Sequence, residues 1–279
     1  MGRLIVNADD FGLTAGVNRA VAELHSAGVL TSATLMARAG ATNAAIHQAL
    51  ATPSLGVGCH VVLVDGESVL PPREIPSLVD QKTGHFPATL STFLARLFTG
   101  CVAAEEIEAE AAAQISLLQS EGLHLTHIDT HKHTHMFPAV LRPVLRAARA
   151  ANIRAVRNPF EPAWAVRATA GAGWARCAEV SLLRRLESHC RRIIAQEGLA
   201  TTNGTIAVVG TGTLNEVAVR SLLSAMPNGT WELVTHPGYN DADLARVRTR
   251  LRASREIERQ ALGAIKEFPQ IELVSFAGL

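Results

Sequence analysis

Histidine and aspartate alternate along the segment HIDTHKHTHMF, residues 127–137. One or the other stands at every second position: His127, Asp129, His131, His133 and His135. On a strand this spacing puts the side chains on one face, and on a helix His131 and His135 would align. Imidazole and carboxylate donors without cysteine suit Zn²⁺ and other borderline divalent ions. The segment therefore predicts a metal site, with a histidine-rich surface tract as the alternative. Ligation by all five is sterically implausible, so some would orient the ligands instead.

Carboxylates or imidazoles also close three other apolar runs. The run RLIVNADD ends on Asp9 and Asp10, GVGCHVVL contains His60, and WELVTHPG reaches His236. Each is ambiguous alone, because a lone histidine on an apolar strand is usually a core residue and Asp before Phe-Gly is typical of a turn. In a (β/α) barrel, however, the carboxyl ends of the strands share the rim on which catalytic groups gather. Four such ends together favour a functional site.

Asp9 and Asp10 pose a geometric question. Neighbouring side chains on a strand point to opposite faces, so both carboxylates can face one interior only where the strand has ended. One interpretation is a simple turn. The other gives one carboxylate to a metal and the second to proton transfer, which requires two acids in different environments.

Short apolar runs alternate with helical patterns along the chain. The predicted strands cover 3–10, 31–37, 55–63, 123–129, 153–159, 204–210, 231–238 and 271–277. The predicted helices lie near 14–27, 40–50, 89–120, 138–151, 174–197, 213–225 and 241–267. This alternation predicts an α/β fold, and about eight strands without a GxGxxG turn favour a closed (β/α) barrel. Thr213 and Glu216 have the spacing of a capping box.

Residues 1–279 are expected to form a single barrel domain. The irregular stretch 64–87 directly follows the third strand, where substrate-side loops of barrels emerge, although an inert insertion has the same signature. A net charge of +1 gives no reason to expect nucleic acid. The sequence shows no signal peptide, no membrane-spanning run and no disulfide framework among its four cysteines, so a cytoplasmic protein is expected.

Four motifs resemble one known family. NADDFG (7–12), GCH (58–60), HIDTHKHTHMFP (127–138) and HPGY (236–239) occur in the order found in the YdjC-like carbohydrate deacetylases. That family includes chitooligosaccharide deacetylases and a hopanoid-biosynthesis branch. The resemblance covers nearly the whole chain, and the stretch 62–80 looks more like the hopanoid-associated branch.

The resemblance implies a distorted (β/α) barrel of about seven to eight strands, related to polysaccharide deacetylases. It implies one divalent metal bound by Asp10, His60 and His131, with Asp9 as general base and His236 as general acid. The family is often described with Mg²⁺, whereas two imidazoles and one carboxylate suit Zn²⁺ better. Lys132 departs from the family pattern, which often has histidine there, and is expected to change the charge of the rim without removing a ligand.

The expected reaction is removal of acetate from an N-acetylglucosamine-type sugar, either a chitooligosaccharide or an N-acetylglucosaminyl lipid. His127 and Asp129 would orient His131, while the role of His135 stays open. Phe137, Trp164 and Tyr239 are candidates either for packing against a sugar face or for the core. The expected partner is the N-acetylated sugar, with peripheral membrane contact if it is lipid-linked, and with a homodimer as one option. Two alternatives remain: another metal-dependent hydrolase, phosphoesterase-like and with more than one ion, and a non-catalytic sugar-binding barrel.

Overall fold

The protein contains all the strands that the apolar runs predict. A computed structural model describes residues 2–169 and 171–279. The strands are β1 (Gly2–Phe11), β2 (Ser32–Leu35), β3 (Gly56–Val61), β4 (His127–Thr130), β5 (Ala155–Val156), β6 (Gly204–Ile206), β7 (Gly229–Thr235) and β8 (Glu272–Leu273). Paired strands run parallel, in the order β5-β4-β3-β2-β1-β7-β6.

The two edges of this sheet meet just before β6. The Val156 N–H donates to the Ala200 carbonyl at 3.0 Å, and the Ala200 N–H donates to the Arg154 carbonyl at 2.8 Å. The sheet therefore curls into a distorted (β/α) barrel of seven strands, as predicted. The short β8 pairs with β1 at Arg3 and Leu4, near the amino end of the barrel.

The described helices are α1 (Ala15–Ser26), α2 (Thr42–Leu50), α3 (Leu90–Phe98), α4 (Ala104–Ser120), α5 (Pro138–Ala150), α6 (Ala163–Ala168), α7 (Trp174–Leu183), α8 (Glu187–Gln196), α9 (Glu216–Ala225), α10 (Ala242–Arg246) and α11 (Arg252–Ala261). The single helix predicted over 89–120 is wrong, because Gly100 (φ 74°) adopts a left-handed conformation that ends α3. The predicted capping box is also wrong: Asn215 caps α9 by accepting from the Ala218 N–H, while the Thr213 hydroxyl donates to the Gly210 carbonyl. Among the described residues, no helix has both the length and the apolar character needed to cross a bilayer.

β1 shows why the barrel interior is unusual. Every residue from 4 to 11 is buried, as expected for a parallel strand covered on both faces. Burying an aliphatic side chain such as Leu4 or Ile5 contributes about 1.5–3 kcal/mol. Asn7, Asp9 and Asp10 interrupt this apolar run, and buried polar groups require partners. Those partners include Arg157, which follows β5, and Arg255 of α11.

Strand register brings the polar residues to one rim. Ala8 is paired with Thr235, so Asp9 and His236 follow side by side. His60 is paired with Asp129, at the carboxyl ends of β3 and β4. Because parallel strands point the same way, these residues share the carboxyl end of the barrel.

Candidate metal centre

Three ligand-type atoms face one another at this rim. Oδ1 of Asp10 lies 3.1 Å from Nδ1 of His131 and 3.5 Å from Nε2 of His60. The two imidazole nitrogens are 3.2 Å apart. Asp10 and His60 are buried, and 19% of the His131 side chain is exposed. The structure thus brings together the residues that the resemblance implies as ligands.

The triangle fits a divalent ion. Among residues 2–169 and 171–279, Oδ1 of Asp10 has no hydrogen-bond partner, although it is fully buried. Such an atom normally costs free energy, so it indicates a missing cation or donor. Two donors that each lie about 2.0–2.1 Å from a tetrahedral zinc ion are about 3.3–3.4 Å apart, close to the observed 3.1, 3.2 and 3.5 Å. The donor set of two imidazoles and one carboxylate matches the same class of ion.

The backbone at Asp10 resolves the question of the adjacent carboxylates. Its φ angle of 64° is left-handed, and the β1–β2 register shifts between Ala8 and Phe11. This irregularity breaks the alternation of the strand before Asp10, as a bulge does. Asp9 and Asp10 can therefore both point into the same chamber.

Arg255 takes the other oxygen of Asp10. Its Nη2 lies 2.5 Å from Oδ2, and the guanidinium is buried. Burial opposes ionisation of Asp10, but Arg255 and then the adjacent imidazoles of His131 and His60 outweigh it, so the pKa of Asp10 lies well below the usual value. The carboxylate therefore stays ionised and offers one oxygen, Oδ1, to a metal.

Asp9 is held by Arg157. Nη2 of Arg157 donates to Oδ1 at 2.6 Å and Nη1 to Oδ2 at 2.9 Å, while the Asn7 amide donates to Oδ1 at 3.0 Å. Burial alone would raise the pKa of Asp9, but the charges of Arg157 and His60 lower it far below the usual value. Arg157 also binds Asp129 and Glu232, so carboxyl groups from three strands share one buried guanidinium.

Asp129 orients His60 rather than His131. Its Oδ1 lies 2.7 Å from Nδ1 of His60. A proton on Nδ1 leaves Nε2 free to act as a ligand, which is the usual arrangement of metal-binding histidines. Burial disfavours the charged imidazole, but Asp129, then Asp10 and Asp9, raise the pKa of His60 to about 10. The surrounding carboxylates thus make this position strongly attractive to positive charge.

His236 is held by a carboxylate of α11. Oε2 of Glu258 accepts the backbone N–H of His236 at 2.7 Å and lies 3.7 Å from Nδ1. Nε2 of His236 lies 3.9 Å from Oδ2 of Asp9. Burial lowers the pKa of His236, but Glu258 and then Asp9 raise it above the ordinary value overall.

The remaining histidines of the 127–137 segment lie outside the triangle. His127 stacks on Phe276, with ring centroids 3.8 Å apart, and burial lowers its pKa to about 3. His135 bonds the Thr130 hydroxyl at 2.7 Å, and burial lowers its pKa to about 4. Both rings are therefore neutral near pH 7. Of the five alternating groups, only His131 belongs to the triangle.

The aromatic candidates are dispersed. Phe137 packs edge-on against Phe98, and Trp164 packs edge-on against Trp231. The Tyr239 hydroxyl donates to Glu23 at 2.5 Å, and the guanidinium groups of Arg19 and Arg259 lie 4.3 Å from the centroid of its ring. None of these contacts involves a residue of the triangle.

Sequence reasoning missed the charged partners of the centre. Arg157 directly follows β5, so its position just past a strand was a usable signal. Arg255 and Glu258 lie three residues apart on α11, and their spacing in the sequence is typical of a solvent-exposed charged helix face. Both are buried, because α11 packs over the rim.

The fold is shared with solved structures. An Enterococcus faecalis protein named for cellobiose-phosphate cleavage aligns with a TM-score of 0.73 and 25% identity, over 99% of this chain and 98% of that one. A Thermus thermophilus lactam utilization protein aligns with a TM-score of 0.54 and 14% identity, over 98% of this chain and 99% of that one. At that identity the second likeness concerns the fold alone.

Sequence relatives share the name carbohydrate deacetylase. The protein from Brevibacillus brevis is 42% identical over 158 residues, which is 57% of this chain and only 60% of that protein. The protein from Thermoanaerobacter pseudethanolicus is 28% identical over 262 residues, 94% of this chain and 91% of that one. The family model described as YdjC-like protein matches residues 3–266, a span that includes the triangle, Asp9 and His236. The chain belongs to the YdjC-like protein family.

Proposed function

We propose that this protein is a metal-dependent carbohydrate deacetylase that hydrolyses the acetamide of an N-acetylglucosamine-type sugar. The observation that carries the proposal is the triangle of Asp10, His60 and His131. Oδ1 of Asp10 is buried there and has no hydrogen-bond partner among the described residues. The names of the relatives support the reaction class.

Asp10, His60 and His131 would hold one divalent ion. When bound, such an ion supplies a Lewis acid, which polarises a carbonyl group and lowers the pKa of water. The two imidazoles favour Zn²⁺ over the Mg²⁺ often associated with the family. Asp129 supports this arrangement, because it orients the ring of His60 from the side opposite Nε2.

Asp9 is the proposed general base. It lies beside Asp10 in the chain, and its low pKa keeps it ionised and able to accept a proton. The bonds from Arg157 fix the direction of its oxygens but also weaken it as a base. A proton taken up by Asp9 would therefore be passed on readily, as suits a group that acts within one turnover.

His236 is the proposed general acid. Glu258 and Asp9 raise its pKa, which increases the protonated fraction near neutral pH. The protonated ring can donate to the departing sugar amine, from a position 3.9 Å from the proposed base. The proposed base and acid therefore lie close to each other.

Arg157 favours a single ion over the multinuclear alternative. Asp9, His60 and Asp129 form a second group whose ligand atoms are close enough for a metal. The guanidinium of Arg157 contacts both of these carboxylates. A positive side chain already lies against this second group, which argues against a second cation there.

The test is acetate release by protein that has been stripped with a chelator and reloaded with Zn²⁺, Mn²⁺ or Mg²⁺. Diacetylchitobiose and an N-acetylglucosaminyl lipid are the two substrates, and their comparison decides between the two branches. We expect reloading to restore release, Asp10→Ala to abolish it, and Asp243→Ala, at an exposed aspartate of α10, to leave it unchanged. Metal-loaded protein that releases acetate from neither substrate would contradict the proposal.

A further inference from the structure

An ion pair joins the stretch 64–87 to the residue after a proposed ligand. Nζ of Lys132 lies 2.8 Å from Oδ2 of Asp65, and 30% and 19% of the two side chains are exposed. Lys132 follows His131 directly, and Asp65 lies at the start of the stretch. The pair therefore joins the segments that follow the neighbouring strands β3 and β4.

The turn after His131 has a strained backbone. Lys132 (φ 56°) and His133 (φ 52°) are consecutive non-glycine residues in the left-handed region. Such a conformation is unfavourable for a residue other than glycine, and persists only where its surroundings hold it. The proposed ligand atom of His131 is Nδ1, the ring nitrogen nearer the backbone, so its position depends directly on this turn.

The 64–87 stretch is itself firmly anchored. Its neck is closed by the Asp65 N–H, which donates to the Pro87 carbonyl at 3.0 Å. Glu110 of α4, which is buried, accepts the N–H groups of Val69 and Leu70 at 2.8 and 3.0 Å. The stretch is thus a fixed support against which Lys132 can be held.

We propose that the Asp65–Lys132 ion pair positions His131 for metal binding, by holding the left-handed turn against the anchored loop. Lys132 is a positioning residue that acts through His131. The inference rests on the proposed metal centre.

The test measures Zn²⁺ and Mn²⁺ affinity by competition with a chelator. We expect Lys132→Met and Asp65→Asn each to weaken binding about 10-fold or more, the range found when groups that orient ligands are lost. The matched control is Glu67→Gln, which breaks another ion pair of the same loop, Glu67 with Arg38 at 3.3 Å, and should leave affinity unchanged.

Two further variants separate the effect of the Lys132 charge from the effect of the backbone conformation at this position. Lys132→Gly removes the ammonium group and leaves a flexible turn that no ion pair ties to the loop, so we expect it to bind metal as weakly as Lys132→Met although its left-handed strain is relieved. The double variant Asp65→Lys with Lys132→Asp restores opposite charges, and should recover part of the lost affinity. Wild-type affinity in Lys132→Gly would show that only the backbone matters and would overturn the proposal.

Affinity also distinguishes the two proposals. If the wild-type chain binds neither ion, the proposed metal centre fails. If it binds metal, and the Lys132→Met and Asp65→Asn variants bind it equally well, only the positioning role fails. Folding of each variant is checked by its thermal midpoint, and these partly exposed side chains should tolerate replacement.

Discussion

The buried guanidinium of Arg157 donates a hydrogen bond to each carboxylate oxygen of Asp9, with Nη2–Oδ1 at 2.6 Å and Nη1–Oδ2 at 2.9 Å. The same guanidinium binds Glu232 at 2.7 Å and contacts Asp129. A buried cation shared by three carboxylates makes each of them dependent on it. This relationship governs both the stability of the barrel interior and the chemistry proposed for it.

Arg157→Met should destabilise the protein strongly. The substitution leaves three buried carboxylates without their cation, and breaking a buried ion pair typically costs about 3–5 kcal/mol. Urea unfolding at neutral pH measures the loss. Arg146→Met is the control, because its ion pair with Glu108 is partly exposed and should contribute little. Equal losses in the two variants would contradict the role assigned to Arg157.

Asp9→Asn should separate metal binding from turnover. The amide keeps the shape of the side chain but cannot accept a proton, so kcat should fall by about 100-fold or more. Metal content after dialysis should match the wild-type chain, since Asp9 is not in the triangle. The two measurements are acetate release and elemental analysis. Retained turnover would remove Asp9 from the role of base.

Glu258→Gln should change the pH dependence of turnover. Glutamine can still accept the backbone N–H of His236 but removes the negative charge that raises the pKa of this histidine. The pKa of His236 should fall, so the ring loses its proton at a lower pH. The alkaline limb of the kcat profile should therefore shift to lower pH. Glu256→Gln, at a half-exposed neighbour paired with Arg259, is the control. An alkaline limb that stays in place would argue against His236 as the acid.

Glu161 should make the protein less stable as pH rises. Its oxygens accept the N–H groups of Ala207 and Val209 at 2.8 and 2.6 Å, and burial raises its pKa from 4.5 to about 7. The folded state therefore favours the protonated acid. That contribution, about 3 kcal/mol at 1.36 kcal/mol per pKa unit, is fully present below pH 4.5 and is lost as pH rises through 7.

Unfolding free energies at pH 5 and pH 8 test this assignment. Glu161→Gln cannot titrate, so the variant should lose less stability than the wild-type chain between these values. Its baseline should be lower, because the amide can accept only one of the two N–H groups. Identical pH dependence in both proteins would show that Glu161 titrates normally.

Local patterns predicted the elements of this fold better than its charged interior. Apolar runs located every described strand, since burial on both faces leaves a direct signal in composition. The ends of β1, β3 and β4 supplied Asp10, His60 and His131, because polar residues at the ends of buried strands stand out. The alternating segment 127–137, by contrast, suggested a metal site built within one segment, whereas the structure takes the three residues of the triangle from three segments.

Tertiary contacts explain what escaped prediction. Arg255 and Glu258 are buried only because α11 packs across the rim, and nothing in the helix pattern reveals that. Tyr239 follows the HPG motif but turns outward to Glu23, where two arginines flank it. The pairing of Asp129 with His60 depends on register between β3 and β4, which a single sequence does not encode locally.

The left-handed backbone at Asp10 has a consequence for transplanting this centre. A designer who copies Asp9 and Asp10 onto a regular barrel strand would send one of these neighbouring acids into the surrounding helices. The graft must include the irregular end of β1, with its φ of 64°. One dihedral angle is therefore as much a component of the centre as any imidazole.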